Sequence, residues 1–183
     1  MKLYSLVLVL FLTVLSWTAS AQTITNPLPA ATLRANDDVI ATDSVPSVYS
    51  FNASFKDYII VRLKYKTDIL QALNQVVEEH KIKNAVIING IGSVYEYHVH
   101  SVDNATFPSR NIFNKEAKPS DITCLNGFII EGRVHAHIGL SDSKTAVGGH
   151  LEPGTSVFTF CIITIGILDD SISLNRLDDK TWR

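Results

Sequence analysis

Cysteine is scarce in this chain, with only Cys124 and Cys161 among 183 residues. Two thiols cannot build the disulfide framework of a small secreted scaffold, and their separation is far from the CxxC spacing of redox or zinc-thiolate motifs. Each sits in an apolar, strand-like run, so the residues predict two buried free thiols acting as small hydrophobes. Positive charge is not in excess either. Sixteen basic residues stand against 18 acidic ones, a formal net charge of −2, which leaves no overall positive field to draw the chain to polyphosphate and argues against nucleic acid as a partner. Gly90 and Gly92 lack the third spaced glycine and the Lys-Ser/Thr of a phosphate loop, so they predict a tight turn or bulge instead. Internal repeats and low-complexity blocks are absent from the sequence.

The one long hydrophobic run is at the start. Lys2 precedes the apolar Leu3 to Leu15, which is too short to cross a bilayer, and Ala19-Ser20-Ala21 forms a small-x-small cleavage site before Gln22. Residues 1–21 therefore read as a secretory signal peptide, and the protein as exported, periplasmic or extracellular, with no transmembrane segment in the mature chain. Residues 22–50, rich in Pro, Ala, Thr, Ser and Asn without helical or strand period, read as an extended leader on the surface. What remains, residues 51–183, has the size of one domain with a substantial core. A composition of 46% hydrophobic and 19% charged residues suits a globular domain and excludes disorder as its main content.

Within that domain, Lys56 to Tyr65 alternates as a strand with Ile59, Val61 and Leu63 on its apolar face. Thr67 or Asp68 caps a helix that buries Ile69, Leu70, Leu73, Val76 and Val77. Ala85 to Asn89 and Val94 to Val102 read as two strands separated by the Gly90 to Ser93 turn or bulge. Asp103 to Ser120, with Pro108 and Pro119, reads as a loop. Asp121 to Leu125 and Phe128 to Ile130 read as strands about an Asn126-Gly127 hairpin. Val157 to Leu168 is apolar on both faces, as expected of a central strand covered on each side. Ser171 to Leu174 reads as a short edge strand.

Against the absences stands a concentration of histidine. Residues 131–150 read EGRVHAHIGLSDSKTAVGGH. The two-residue period of a strand over Val134 to Leu140 places His135 and His137 on one face, with Val134, Ala136 and Ile138 on the other. After the polar turn Ser141 to Lys144 the chain returns, and Gly148-Gly149 can take backbone angles closed to other residues before presenting His150. If the two segments form a hairpin, three imidazoles converge. Three neutral imidazoles on a rigid sheet make a facial ligand set for a borderline divalent metal, zinc foremost and iron or nickel as alternatives, with positions left open for water or substrate. A half-buried polar face of the strand is the other reading, and spacing alone leaves both open. Glu96, His98 and His100 also share a strand face, as an exposed polar face, a pocket wall or further ligands. His80, in the last turn of the helix, reads as a solvated residue.

With these residues laid out, the chain from about Phe51 onward resembles the PPC domain, the "plants and prokaryotes conserved" family, as a bacterial secreted member without AT-hooks. The resemblance is carried by Tyr58-Ile-Ile-Val-Arg-Leu before the helix, by Gly92-Ser93-Val94, by Gly132 to Asp142, and above all by Val147-Gly-Gly-His-Leu with Gly154 and the long apolar strand that follows. Arg176 to Thr181 also looks like the family's close, although Trp182 stands where Gly is common. The resemblance implies an α+β fold, mainly an antiparallel sheet of about six or seven strands with one principal helix, assembled as a homotrimer. It also implies metal at His135, His137 and His150. His100 stands where the family often has Arg, which counts against an anion-binding role there. Bacterial members are labelled DNA-binding because plant relatives join this domain to AT-hooks, but the chain has no Arg-Gly-Arg-Pro run. The expectation is an exported, metal-binding protein, a metal-dependent enzyme or small-molecule binder of unspecified reaction. A DNA-binding protein and a structural or interaction module of the envelope are the alternatives.

Overall fold

In the computed structural model, which describes residues 45–106 and 108–179, the first alternating segment forms strand β1, Phe55–Leu63. Val61 and Leu63 are buried and Tyr58 and Ile60 exposed, which is the pleat expected of a sheet with one face on a core. Asp68 then caps helix α1, Ile69–Glu79, from an extended backbone, its carboxylate accepting the Gln71 N–H at 3.0 Å. Ile69, Ala72, Leu73 and Val77 are the buried stripe of that helix, and they join Val61, Leu63, Ile87, Leu125, Ile138, Ile163 and Ile165 in one core. The expected signal peptide and most of the leader lie outside the described residues, as does Trp182.

Five further strands and one insertion complete the sheet: β2 Ala85–Val102, β3 Asn111–Glu116, β4 Ser120–Ile130, β5 Arg133–Ser141, β6 Ala146–Leu151 and β7 Ser156–Leu168. The order is β1-β7-β2-β4-β5-β6, with β3 also on β2 and a second pairing between β2 and β6. All pairings are antiparallel, so the fold of the described residues is an antiparallel seven-stranded sheet with one α-helix. The pairings β2–β4, β4–β5, β5–β6 and β6–β2 close a circuit, which the length of β2 makes achievable. Its first half pairs with β7 and β4, and its second half with β3 and β6.

Five local expectations are corrected. The two strands expected around Gly90 to Ser93 are one 18-residue strand, and the glycines bend it at irregularities near Ile87/Asn89 and Gly92/Val94 without turning it back. The stretch expected as a loop, Asp103 to Ser120, contains β3, an exposed edge strand whose pairing to β2 outweighs its weak pattern. Asn126-Gly127 does not turn. It runs through β4, because Gly127 lets the neighbouring strand come close: a Cβ there would stand 2.1 Å from the His135 carbonyl oxygen, and the hairpin falls instead at Glu131-Gly132, both in the left-handed region. Ser171 to Leu174 forms no strand, and the chain closes through a 3-10 turn, Asn175–Asp178. Of the two thiols Cys161 is buried and Cys124 exposed, both free. Burial pushes the Cys161 thiol up to about 12, which keeps it an inert hydrophobe.

Asp68 does more than cap. Its second carboxylate oxygen accepts the Gly154 N–H at 2.6 Å, and the Ile69 N–H bonds to the Thr155 carbonyl, so the helix start is tied to the turn that follows β6. Asp68→Ala should lower stability by about 1–2 kcal/mol and the thermal midpoint by roughly 3–8 °C. Asp68→Asn can still accept from Gln71 but presents its amide NH2, a donor, to the Gly154 N–H, and should fall between the parent and Asp68→Ala in a melting experiment. An Asn variant as stable as the parent would show that the bond to Gly154 contributes nothing.

Candidate metal centre

Register, more than proximity in sequence, assembles the histidines. His137 lies opposite His150 across β5–β6, His150 opposite His100 across β6–β2, and His100 opposite Phe113 across β2–β3. Directly opposed residues on antiparallel neighbours share a face, so one row across four strands reads His137, His150, His100, Phe113. His135 and His98 sit two residues along on β5 and β2, hence on that same face. The glycines before His150 act through space rather than through unusual backbone angles. A Cβ on Gly149 would stand 2.3 Å from the His100 carbonyl oxygen, and one on Gly148 2.9 Å from that of Ile138.

The rings of His135, His137 and His150 are nearly parallel, with interplanar angles of 10°, 4° and 8°. Their centres are 4.8 Å apart for His135–His150, 5.5 Å for His137–His150 and 5.7 Å for His135–His137. Three imidazoles bound to one zinc at about 2.0–2.1 Å would hold their ring centres roughly 4.5–5.2 Å apart. One edge of the triangle meets that requirement and the others exceed it by about half an ångström or less, a shift within side-chain reach. His100 is nearer still to His150, at 4.6 Å between centres, and the side chains of His100, His150 and Glu152 can each place a ligand atom within 4.8 Å of the others. His150 is common to this group and to the triangle of rings, but among the described residues only the former already brings its ligand atoms that close together.

Hydrogen bonds settle which nitrogen is available on several rings. His150 Nδ1 is 3.1 Å from the Ala136 carbonyl and His98 Nδ1 2.9 Å from that of Pro153. A carbonyl can only accept, so Nδ1 carries the proton in both and Nε2 keeps its lone pair. His100 Nδ1 lies 2.6 Å from Glu152 Oε1, where an ionised carboxylate imposes the same tautomer. Metal-binding histidines commonly hold their second nitrogen in this way. Asp178, bound to Arg133, stands 3.9 Å from His135 Nδ1, too long for a hydrogen bond.

Burial first, then the neighbouring His100, His135 and His137, pushes His150 down to about 4. His137 is lowered by burial and by His135 and His100. Both are therefore neutral at neutral pH, the form that coordinates.

Of the expected site residues, His135, His137 and His150 come together, and of the expected pocket only His100 reaches them. Glu96 turns to β7, accepting from Ser156 Oγ at 3.0 Å. His98 lies at the margin, its ring 5.8 Å from Phe113, whose ring is 5.2 Å from His100. Glu152, Phe113 and Asp178 escaped sequence reading. Glu152 had a signal, since it lies two residues past His150 and the strand period puts it on the same face. Phe113 and Asp178 arrive through tertiary pairing and had none.

The sequence pattern of the Plants and Prokaryotes Conserved (PCC) domain matches residues 50–169. Among solved structures, a metal-containing protein from Archaeoglobus fulgidus superposes with a TM-score of 0.59 at 21% identity, over 67% of this chain and 86% of that one. A plant- and prokaryote-conserved protein from Pyrococcus horikoshii gives 0.59 at 19% identity, over 74% of this chain and 94% of that one. A candidate DNA-binding protein from Bacteroides thetaiotaomicron gives 0.54 at 24% identity, over 66% and 86%. These likenesses show a shared fold. No curated protein sequence matches the chain.

The depressed proton affinity of His150 has a stability consequence in metal-free buffer. Above about pH 6.5, the reference imidazole value, His150 is neutral whether the chain is folded or not. As pH falls from there toward 4, the unfolded chain binds a proton that the folded site refuses, so stability drops across this window and levels off below it. His137 acts in the same direction. Thermal melting in chelator should show the midpoint falling over this range, and His150→Gln should flatten the fall. Identical slopes for parent and variant would contradict the assignment.

Proposed function

This chain belongs to the Plants and Prokaryotes Conserved domain family, and on that premise we propose that it is a divalent-metal-binding protein that holds zinc through His135, His137 and His150. The observation that carries the reading is the position of His150, with its Nδ1–H given to the Ala136 carbonyl and two imidazoles at 4.8 and 5.5 Å between ring centres. An all-imidazole set suits zinc, with iron and nickel as the competitors, and disfavours calcium and magnesium, which prefer oxygen. The metal-containing name of the Archaeoglobus neighbour supports the reading. Three protein ligands leave a coordination position for water or for an oxygen of a small molecule. The DNA-binding name of the Bacteroides neighbour is not extended to this chain, whose net charge of −2 offers no general attraction to phosphate. The reading includes export to the periplasm or beyond, which the sequence pattern of residues 1–21 supports.

The purified protein should retain stoichiometric zinc after dialysis, measured by elemental analysis. His150→Ala and the His135→Ala/His137→Ala double variant should lose it, whereas His80→Ala, at the exposed end of α1, should not. Zinc retained in full by the double variant would sink this ligand set. It would move the centre to His100, His150 and Glu152.

The same reading includes a homotrimer. Tyr58, Ile60 and Ile91 are 57%, 66% and 55% exposed on β1 and β2, with Phe158 exposed on β7 between those strands. Exposed large apolar residues on neighbouring strands support an association surface. Light scattering should give three times the chain mass, unchanged on dilution, and Ile60→Lys should reduce it. A monomer would remove the trimer from the proposal.

A further inference from the structure

We propose that Glu152 is a positioning residue for the metal centre, holding His100 so that it stands beside His150 as a fourth imidazole. The inference rests on the metal reading above and adds two residues to it. Glu152 comes off the end of β6 with its backbone N–H still bonded to the His98 carbonyl at 3.0 Å. The β2–β6 ladder thus extends one step past Leu151, and the strand period aims the Glu152 side chain at the same face as His150. There its Oε1 meets His100 Nδ1 at 2.6 Å, with the two side chains only 23% and 16% exposed. A carboxylate accepting from Nδ1 fixes the tautomer and ring orientation, leaves Nε2 as the donor atom, and raises the basicity of the imidazole it holds.

Two roles compete for Glu152. As a direct ligand it would offer the metal a carboxylate oxygen, although Oε1 is already engaged with His100 Nδ1. As a holder it keeps that bond and acts through the ring. No other described acidic side chain does this: Glu96 is bonded to Ser156 and Asp178 is 3.9 Å from His135. On β6 itself, neither Gly148 nor Gly149 could take the part.

The test uses the full protein and two readouts. Long-range proton–nitrogen NMR on the zinc-free protein reports the His100 tautomer. It should show Nδ1–H in the parent, and a gain of the Nε2–H form in Glu152→Ala. Zinc affinity by chelator competition should fall about 10- to 100-fold in Glu152→Ala. Most of it should return in Glu152→Gln, whose amide oxygen still accepts from Nδ1. The cobalt(II) absorption spectrum should change in Glu152→Ala and keep the parent's form in Glu152→Gln. A tautomer indifferent to Glu152 would overturn the proposal. So would a Gln variant as impaired as the Ala one with the Nδ1–H tautomer intact, since Glu152 would then be a ligand. A parent that binds no zinc, yet shows a tautomer that depends on Glu152, would sink the metal reading. The hold on His100 would still stand.

Discussion

The site depends on how closely β6 seats between β5 and β2. Hydrogen-bonded strands ordinarily lie about 4.8 Å apart with side chains above and below the sheet, yet a Cβ at Gly149 would be 2.3 Å from a carbonyl oxygen of β2. Only a hydrogen fits there. That contact allows one short strand to pair on both edges, and double pairing closes the circuit β2-β4-β5-β6. Without it, His150 could approach His137 through the hairpin but not His100, which lies on a strand more than 30 residues earlier in the chain. The pair of glycines therefore acts as a spacing device for the imidazoles on either side of it.

How much of this was legible follows from the range of each interaction. The strand faces of β1 and β5 and the cap and stripe of α1 depend on neighbours within a few residues, and their periodicity shows in the sequence. The His135, His137 and His150 grouping needed only a hairpin, whose polar turn at Ser141 to Lys144 was visible. Asp142 confirms the turn by accepting the N–H groups of Lys144 and Thr145. The role of the glycines was misread, because a Gly-Gly step looks the same whether it frees a backbone angle or removes a side chain from a crowded seam. The same ambiguity misplaced the Asn126-Gly127 turn. β3 folds back on the adjacent end of β2, but its exposed residues carry no strand pattern, and the unbroken β2 depends on partners far along the chain.

Electrostatics gives the cluster a direction. Four imidazoles gathered on one half-buried face cannot all be protonated, because each charge opposes the next and burial opposes all of them. His150 feels this most, being surrounded by His100, His135 and His137. Burial and the neighbouring imidazoles hold His150 and His137 neutral, while Glu152 acts on His150 in the opposite direction. Asp142, in the turn of the hairpin that carries His150, pairs with Lys118 at 2.6 Å and so ties the hairpin to the segment before β4.

Neutral imidazoles still have to place one donor and one acceptor each. Ala136, Pro153 and Glu152 take the Nδ1 protons of His150, His98 and His100, so the Nε2 atoms of these rings are all acceptors. Adjacent acceptors cannot bond to one another, and a half-buried lone pair without a partner is costly. Water can satisfy them one at a time. A divalent cation satisfies several at once, and does so best when the rings are already neutral and their centres lie near the spacing that shared coordination requires. The second-nitrogen contacts satisfy their own donors and acceptors on a polar sheet face as well as at a metal centre, but they also leave the Nε2 lone pairs of neighbouring rings as the atoms still in need of a partner.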